Sequence, residues 1–131
     1  MKNLFVAALI VLTGCSADDC CNLPSETDPY QIKDVKISED HTLLVEVAYS
    51  GGCQEHSFEI EWPEAITAIY PPNFSVVLYH DANGDNCEAF ITETLEFSFD
   101  DSNLGLSDEA IQDMTITVIN ASNTSQQVSN K

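Results

Sequence analysis

Apolar and polar residues alternate along most of this chain, and that alternation sets the expected elements. Leu43, Val45, Val47 and Tyr49 fall on one face of an extended segment, with Glu46 and Ser50 on the other. Phe58, Ile60 and Trp62 alternate with Ser57, Glu59 and Glu61, the pattern of a strand with one buried and one solvated face. Val76 and Leu78 continue the pattern toward His80. Leu95, Phe97 and Phe99 alternate with Thr94, Glu96 and Ser98, and Met114, Ile116 and Val118 with Thr115 and Thr117. An earlier strand passes through Val35 and Ile37. Phe90 and Leu95 differ by an odd number of positions, so a bulge or break is expected near Glu93. Turn-forming residues interrupt the pattern at Ser38-Glu39-Asp40, Ser50-Gly51-Gly52, Pro71-Pro72-Asn73, Ala82-Asn83-Gly84 and Asn103 to Gly105. Ser107, followed by Asp108 and Glu109, suits the cap of one short helix. Six to seven short strands so spaced predict an all-β antiparallel sandwich of immunoglobulin-like kind, with a small closed barrel as the alternative.

The ends of the chain do not follow this pattern. Met1, Lys2 and Asn3 precede an apolar run from Leu4 to Leu12. As a helix that run reaches only ~14 Å, against roughly 30 Å of bilayer hydrocarbon, so it fits a secretory signal and not a span. Leu12-Thr13-Gly14-Cys15 resembles the lipobox of bacterial lipoproteins. The resemblance implies removal of residues 1–14 and lipid on both the sulfur and the amine of Cys15. Several acyl chains hold a protein on a membrane far more firmly than one. Residues 15–29 carry Ser, Asp, Glu, Thr and two Pro, and are expected to form a flexible tether. Residues 121–131 are mostly Ser, Asn, Gln and Thr, and are expected to form a disordered polar tail. One domain, residues 30–120, remains between them. Asp18-Asp19 resembles the acidic signal that sends some Gram-negative lipoproteins to the cell surface, so the expected location is the outer membrane, facing the periplasm or the exterior.

Charge narrows the partners. The chain has 22 Asp and Glu against 4 Lys and Arg, a formal net charge of −18. Lys2 lies in the signal segment, so cleavage makes the chain more negative still. Phosphate-rich nucleic acid is disfavoured, and a cation or a basic protein is the electrostatically allowed partner. Such charge also keeps an exported domain soluble, and a monomer is expected.

Cys15 is assigned to lipid, which leaves Cys20, Cys21, Cys53 and Cys87 in an oxidising compartment. Cys53 and Cys87 each follow a glycine turn and precede a strand, so a Cys53–Cys87 disulfide is expected. Closing that loop stabilises by roughly 3–4 kcal/mol in the chain-entropy account. Cys20 and Cys21 either pair with each other or stay free. A second, exclusive arrangement uses the same thiols. Cys53, His56, His80 and Cys87 form a complete tetrahedral donor set for zinc or copper. Asp81, Asn83 and Asp85 occupy alternate positions suited to calcium, but Thr92 stands where a bidentate glutamate belongs and Asn86 where glycine is usual. The plain alternatives are a hairpin tip at Asn83-Gly84 and two histidines at strand ends.

No nucleophile elbow, phosphate loop or zinc-protease helix occurs, and no Cys-x-x-Cys pair, so no catalytic residue is assigned. The segments Ser50 to Phe58 and His80 to Ala89 resemble parts of small exported lipoproteins of Gram-negative bacteria. The resemblance spans about residues 43–99 and implies that both cysteines belong to one local unit, with no activity attached. The expected function is therefore a non-enzymatic, lipid-anchored binding or accessory module of the cell envelope, without a resident cofactor. Two alternatives stand beside it: metal binding at the residues named above, and inhibition of a basic envelope-directed enzyme such as a lysozyme.

Overall fold

A computed structural model describes residues 27–131. Cys15 with its expected lipid, Cys20 and Cys21 lie outside these described residues. Seven strands form two sheets: β1 (Gln31–Ile37), β2 (Thr42–Gly51), β3 (Ser57–Glu61), β4 (Asn73–Asp81), β5 (Ala89–Ser98), β6 (Thr115–Asn120) and β7 (Gln127–Ser129). One sheet has the order β1-β2-β5 and the other β3-β4-β6-β7. The protein is thus an all-β sandwich.

Its core is the alternation made solid. Leu43, Val45 and Val47 of β2 and Val35 of β1 face Val76 and Leu78 of β4 and Ile116 and Val118 of β6, all essentially inaccessible. Burying each such side chain is worth about 1.5–3 kcal/mol relative to exposure. A 3₁₀ turn (Phe99–Ser102) and helix α1 (Asp108–Asp113) close one end with Phe99, Ala110, Ile111 and Met114. Ser107 caps α1 as its position suggested, its hydroxyl accepting from the Ala110 amide.

Four expectations are corrected. First, β4 and β6 run parallel, so the sandwich is not wholly antiparallel. The chain leaves the sheet for β5 between them, and α1 then returns it in the original direction. Second, β5 has no break at Glu93. It pairs with β2 without interruption from Ala89 opposite Gly51 to Ser98 opposite Thr42. Phe90 lies opposite Ser50, so it shares that outward face and is 73% exposed. The bulge sits instead in β1, between Ile32 and Asp34.

Third, residues 121–131 are not a loose tail. β7 pairs with β6, and the polar side chains beside it stand in for strand partners. The Gln126 side chain accepts from the Ile32 amide and donates to the Ile32 carbonyl, while Asn130 bonds the Ile116 amide and the Met114 carbonyl. Asn120, fully buried, donates to the Tyr30 carbonyl and to Gln126, and its oxygen accepts from Ser122. Amide side chains satisfy buried backbone that would otherwise be costly to leave unpaired. Fourth, residues 27–29 are not free tether. The Asp28 amide donates to the His80 carbonyl, and the Asp28 carboxylate accepts from the Ala82 amide.

Candidate functional site

Two links cross between the sheets at the same end of the sandwich. Residues 52–56 carry the chain from β2 to β3, and residues 82–88 carry it from β4 to β5. The second link is therefore an arch between sheets and not a hairpin, although Asn83 and Gly84 do take the expected positive φ. Cys53 and Cys87 are disulfide-bonded and tie the two arches together.

Asp85 reinforces the tie. One carboxylate oxygen accepts from the Cys53 and Gln54 amides and meets His56 Nε2 at 2.9 Å; the other accepts from the Cys87 amide. The His56 and Asp85 side chains are almost wholly enclosed, at 1% and 0% exposure. Their approach leaves no room for a side chain at Gly51, where an added Cβ would lie 2.5 Å from His56 Nε2. The hydrogen bond from His56, joined by those from the Cys87, Gln54 and Cys53 amides, holds the Asp85 carboxyl well below the usual carboxylate range.

His56 Nδ1 lies 2.8 Å from His80 Nε2, and His80 Nδ1 lies 3.1 Å from the Asp28 carbonyl. Donor accounting assigns the protons. The Asp28 carbonyl only accepts, so His80 Nδ1 carries hydrogen. Burial pushes the His80 pKa below its ordinary value, so its ring is neutral and its Nε2 accepts. His56 Nδ1 shares a hydrogen bond with His80 Nε2, and His56 Nε2 bonds the Asp85 carboxylate. The His56 ring is thus enclosed between His80 and the Asp85 carboxylate. Aromatic stacking fixes the rings: Tyr49 over His56 at 4.4 Å and Phe58 over His80 at 4.5 Å.

These contacts dispose of the four-ligand zinc or copper set. The Cys53 and Cys87 sulfurs and an Asp85 oxygen do lie within 4.8 Å of one another, a cluster of metal-binding type, but the sulfurs are spent on each other. His56 and His80 direct their nitrogens at one another. The calcium arrangement is not formed either. Asp85 turns inward to His56, while Asp81 stays exposed and accepts from the Asn83 amide. The enclosed relay works as a clamp. It locks the arches to each other and, through Asp28, to the incoming chain.

The opposite end of β3 bears an open cleft of about 900 Å³. Glu59, Glu61, Trp62 and Glu64 line it together with Asp101, Ser102 and Asn103. Trp62 is braced by Phe99, ring centroids 5.6 Å apart. Tyr79, opposite Glu59 in register, donates its hydroxyl to Glu61 at 2.7 Å. No lysine or arginine lines the cleft, and none of its carboxylates is in an ion pair among the described residues. Such a site favours a cation with an apolar stem, which an indole face and carboxylates can hold together.

The alternation of β3 already marked Glu59 and Glu61 as outward, but only the fold brings Asp101 to the same cleft. Asp85 was misplaced because its loop sequence suits a solvent-facing turn. The burial of His80 was missed, although the period that puts Phe74, Val76, Leu78 and His80 on the inward face of β4 was a signal for it. No protein-family model, curated protein or solved structure matches this chain.

Proposed function

We propose that this protein is a non-enzymatic binding module, lipid-anchored at Cys15 on the bacterial envelope, that captures a basic protein through the acidic cleft beside β3. The supporting observation is the concave face itself: four carboxylates around an indole, with no cation among the described residues to neutralise them. The net charge of −18 steers a basic partner toward this face. The disulfide suits an oxidising compartment, as the lipobox reading requires.

Inhibition of a basic envelope-directed enzyme is the more specific form of this reading, favoured by the same unpaired acids. The test is a binding titration of the full chain with basic proteins, lysozyme among them, at low and high salt. Binding is expected to weaken with salt and to fall in Glu59→Gln/Glu61→Gln/Glu64→Gln and in Trp62→Ala. Equal binding by wild type and the triple glutamine variant at low salt would overturn the assignment of the cleft.

A further inference from the structure

The sandwich has four edge strands, and three of them are short, bulged or lysine-bearing. Exposed edges invite pairing with other chains, and native proteins blunt them with bulges, charges, proline or brevity. β1 carries the bulge at Lys33, a second lysine at Lys36, and the Gln126 side chain bonded to Ile32. β7 is three residues long. β3 is five residues long, alternates with Glu59 and Glu61, and stops just before Pro63.

β5 is unguarded. It runs for ten residues in unbroken register with β2 and contains no lysine, arginine, proline or glycine. Among the described residues nothing pairs with its outer edge. None of its residues is fully buried, although Ile91, Leu95 and Phe97 face the core. By contrast β2, its only neighbour among the described residues, buries Leu43, Val45 and Val47 completely. Phe90 stands exposed near its start, the most accessible large apolar side chain described.

We infer that β5 is a docking edge, to which an extended basic segment of a partner protein adds as the fourth strand of the β1-β2-β5 sheet. Main-chain hydrogen bonds would supply the affinity, and alternate side chains the selectivity. One set would complete the cover over Ile91, Leu95 and Phe97, with a basic side chain placed to meet Glu93 in the same row. Charge chooses the occupant. Glu88, Glu93 and Glu96 lie on or beside this edge, so basic residues are favoured. A second copy would oppose the same acids and bring another −18 with it. The chain's own residues 15–26 hold Asp18, Asp19 and Glu26 without one basic residue, so they are disfavoured as well. The preference for a basic partner rests on the proposed function; the open edge does not.

The test uses the full chain and a short capped peptide that alternates lysine and valine. Two further peptides carry N-methyl groups on the lysine or on the valine nitrogens, which block one peptide edge each and leave the charge intact. Strand addition predicts that at least one methylated peptide binds about tenfold more weakly or worse than the parent. It also predicts that the parent shifts and protects the amides of residues 89–98, and that the outward changes Phe90→Lys and Thr94→Lys weaken binding while the fold persists. Equal binding of all three peptides, or shifts confined to residues 59–64, would overturn the edge while leaving the cleft in place. Protection of the β5 amides in the free chain, with or without dimerisation, would also overturn it. Absence of any binding at low salt would remove the basic-partner reading altogether.

Discussion

Replacing both Cys53 and Cys87 by alanine isolates the energetic role of the arch-to-arch tie. The two residues are 34 apart in sequence. In the chain-entropy account, closing a loop of that size removes about 13 cal/mol/K from the unfolded ensemble, or about 4 kcal/mol near room temperature. Other contributions should be small. Cys53 is exposed and Cys87 half-buried, so little apolar area is lost. The Asp85 carboxylate bonds the backbone amides of both positions, and alanine keeps those amides. A loss of about 4 kcal/mol is about a quarter or more of the ordinary stability of a domain this size, and corresponds to a melting temperature lower by roughly 15–30 °C. Urea titrations followed by far-UV circular dichroism measure the change directly. The denaturant slope should rise, because the unbridged chain exposes more surface when unfolded. A loss below about 1 kcal/mol with an unchanged slope would refute the loop-closure argument.

Three further outcomes follow from the same geometry. His80 is buried with its pKa lowered, so the unfolded chain takes up its proton first and stability falls as pH drops below about 6.5; melting curves of wild type and His80→Gln across that range should converge on acidification, and parallel curves would exclude His80 as the source. Asp85 has a lowered pKa, so its contribution is present above about 3.8 and lost below it, and Asp85→Asn should flatten the acid limb of the same melting profile. Gly51→Ala places a methyl group against His56 and Asp85, both hemmed in, and should cost about 1–3 kcal/mol by urea titration, whereas the same change at Gly105, where no atom lies within 4 Å of the new Cβ, should lack any packing cost and show only the strain of its positive φ.

Much of the sandwich could be read from strand period alone. Leu43, Val45, Val47, Val76, Leu78, Ile116 and Val118 were legible as core because a strand sends alternate side chains to opposite faces, and burial follows. The Cys53–Cys87 bond was legible in part, because each cysteine stands between a turn and a strand. The candidate cleft was not. Glu59 and Glu61 are some forty positions from Asp101, and no local rule says that they line one cleft.

Sequence by itself determined the alternating core, the positions of the turns, the cap at Ser107 and the strong negative charge, all of them local or additive properties. Tertiary structure alone decided the parallel β4–β6 pair, the inward turn of Asp85 onto His56, the ordering of residues 126–130 and the open edge of β5. These depend on which strands become neighbours. Pairing is a choice among distant segments with similar local patterns, settled by how the whole chain buries its apolar faces and satisfies its backbone at once.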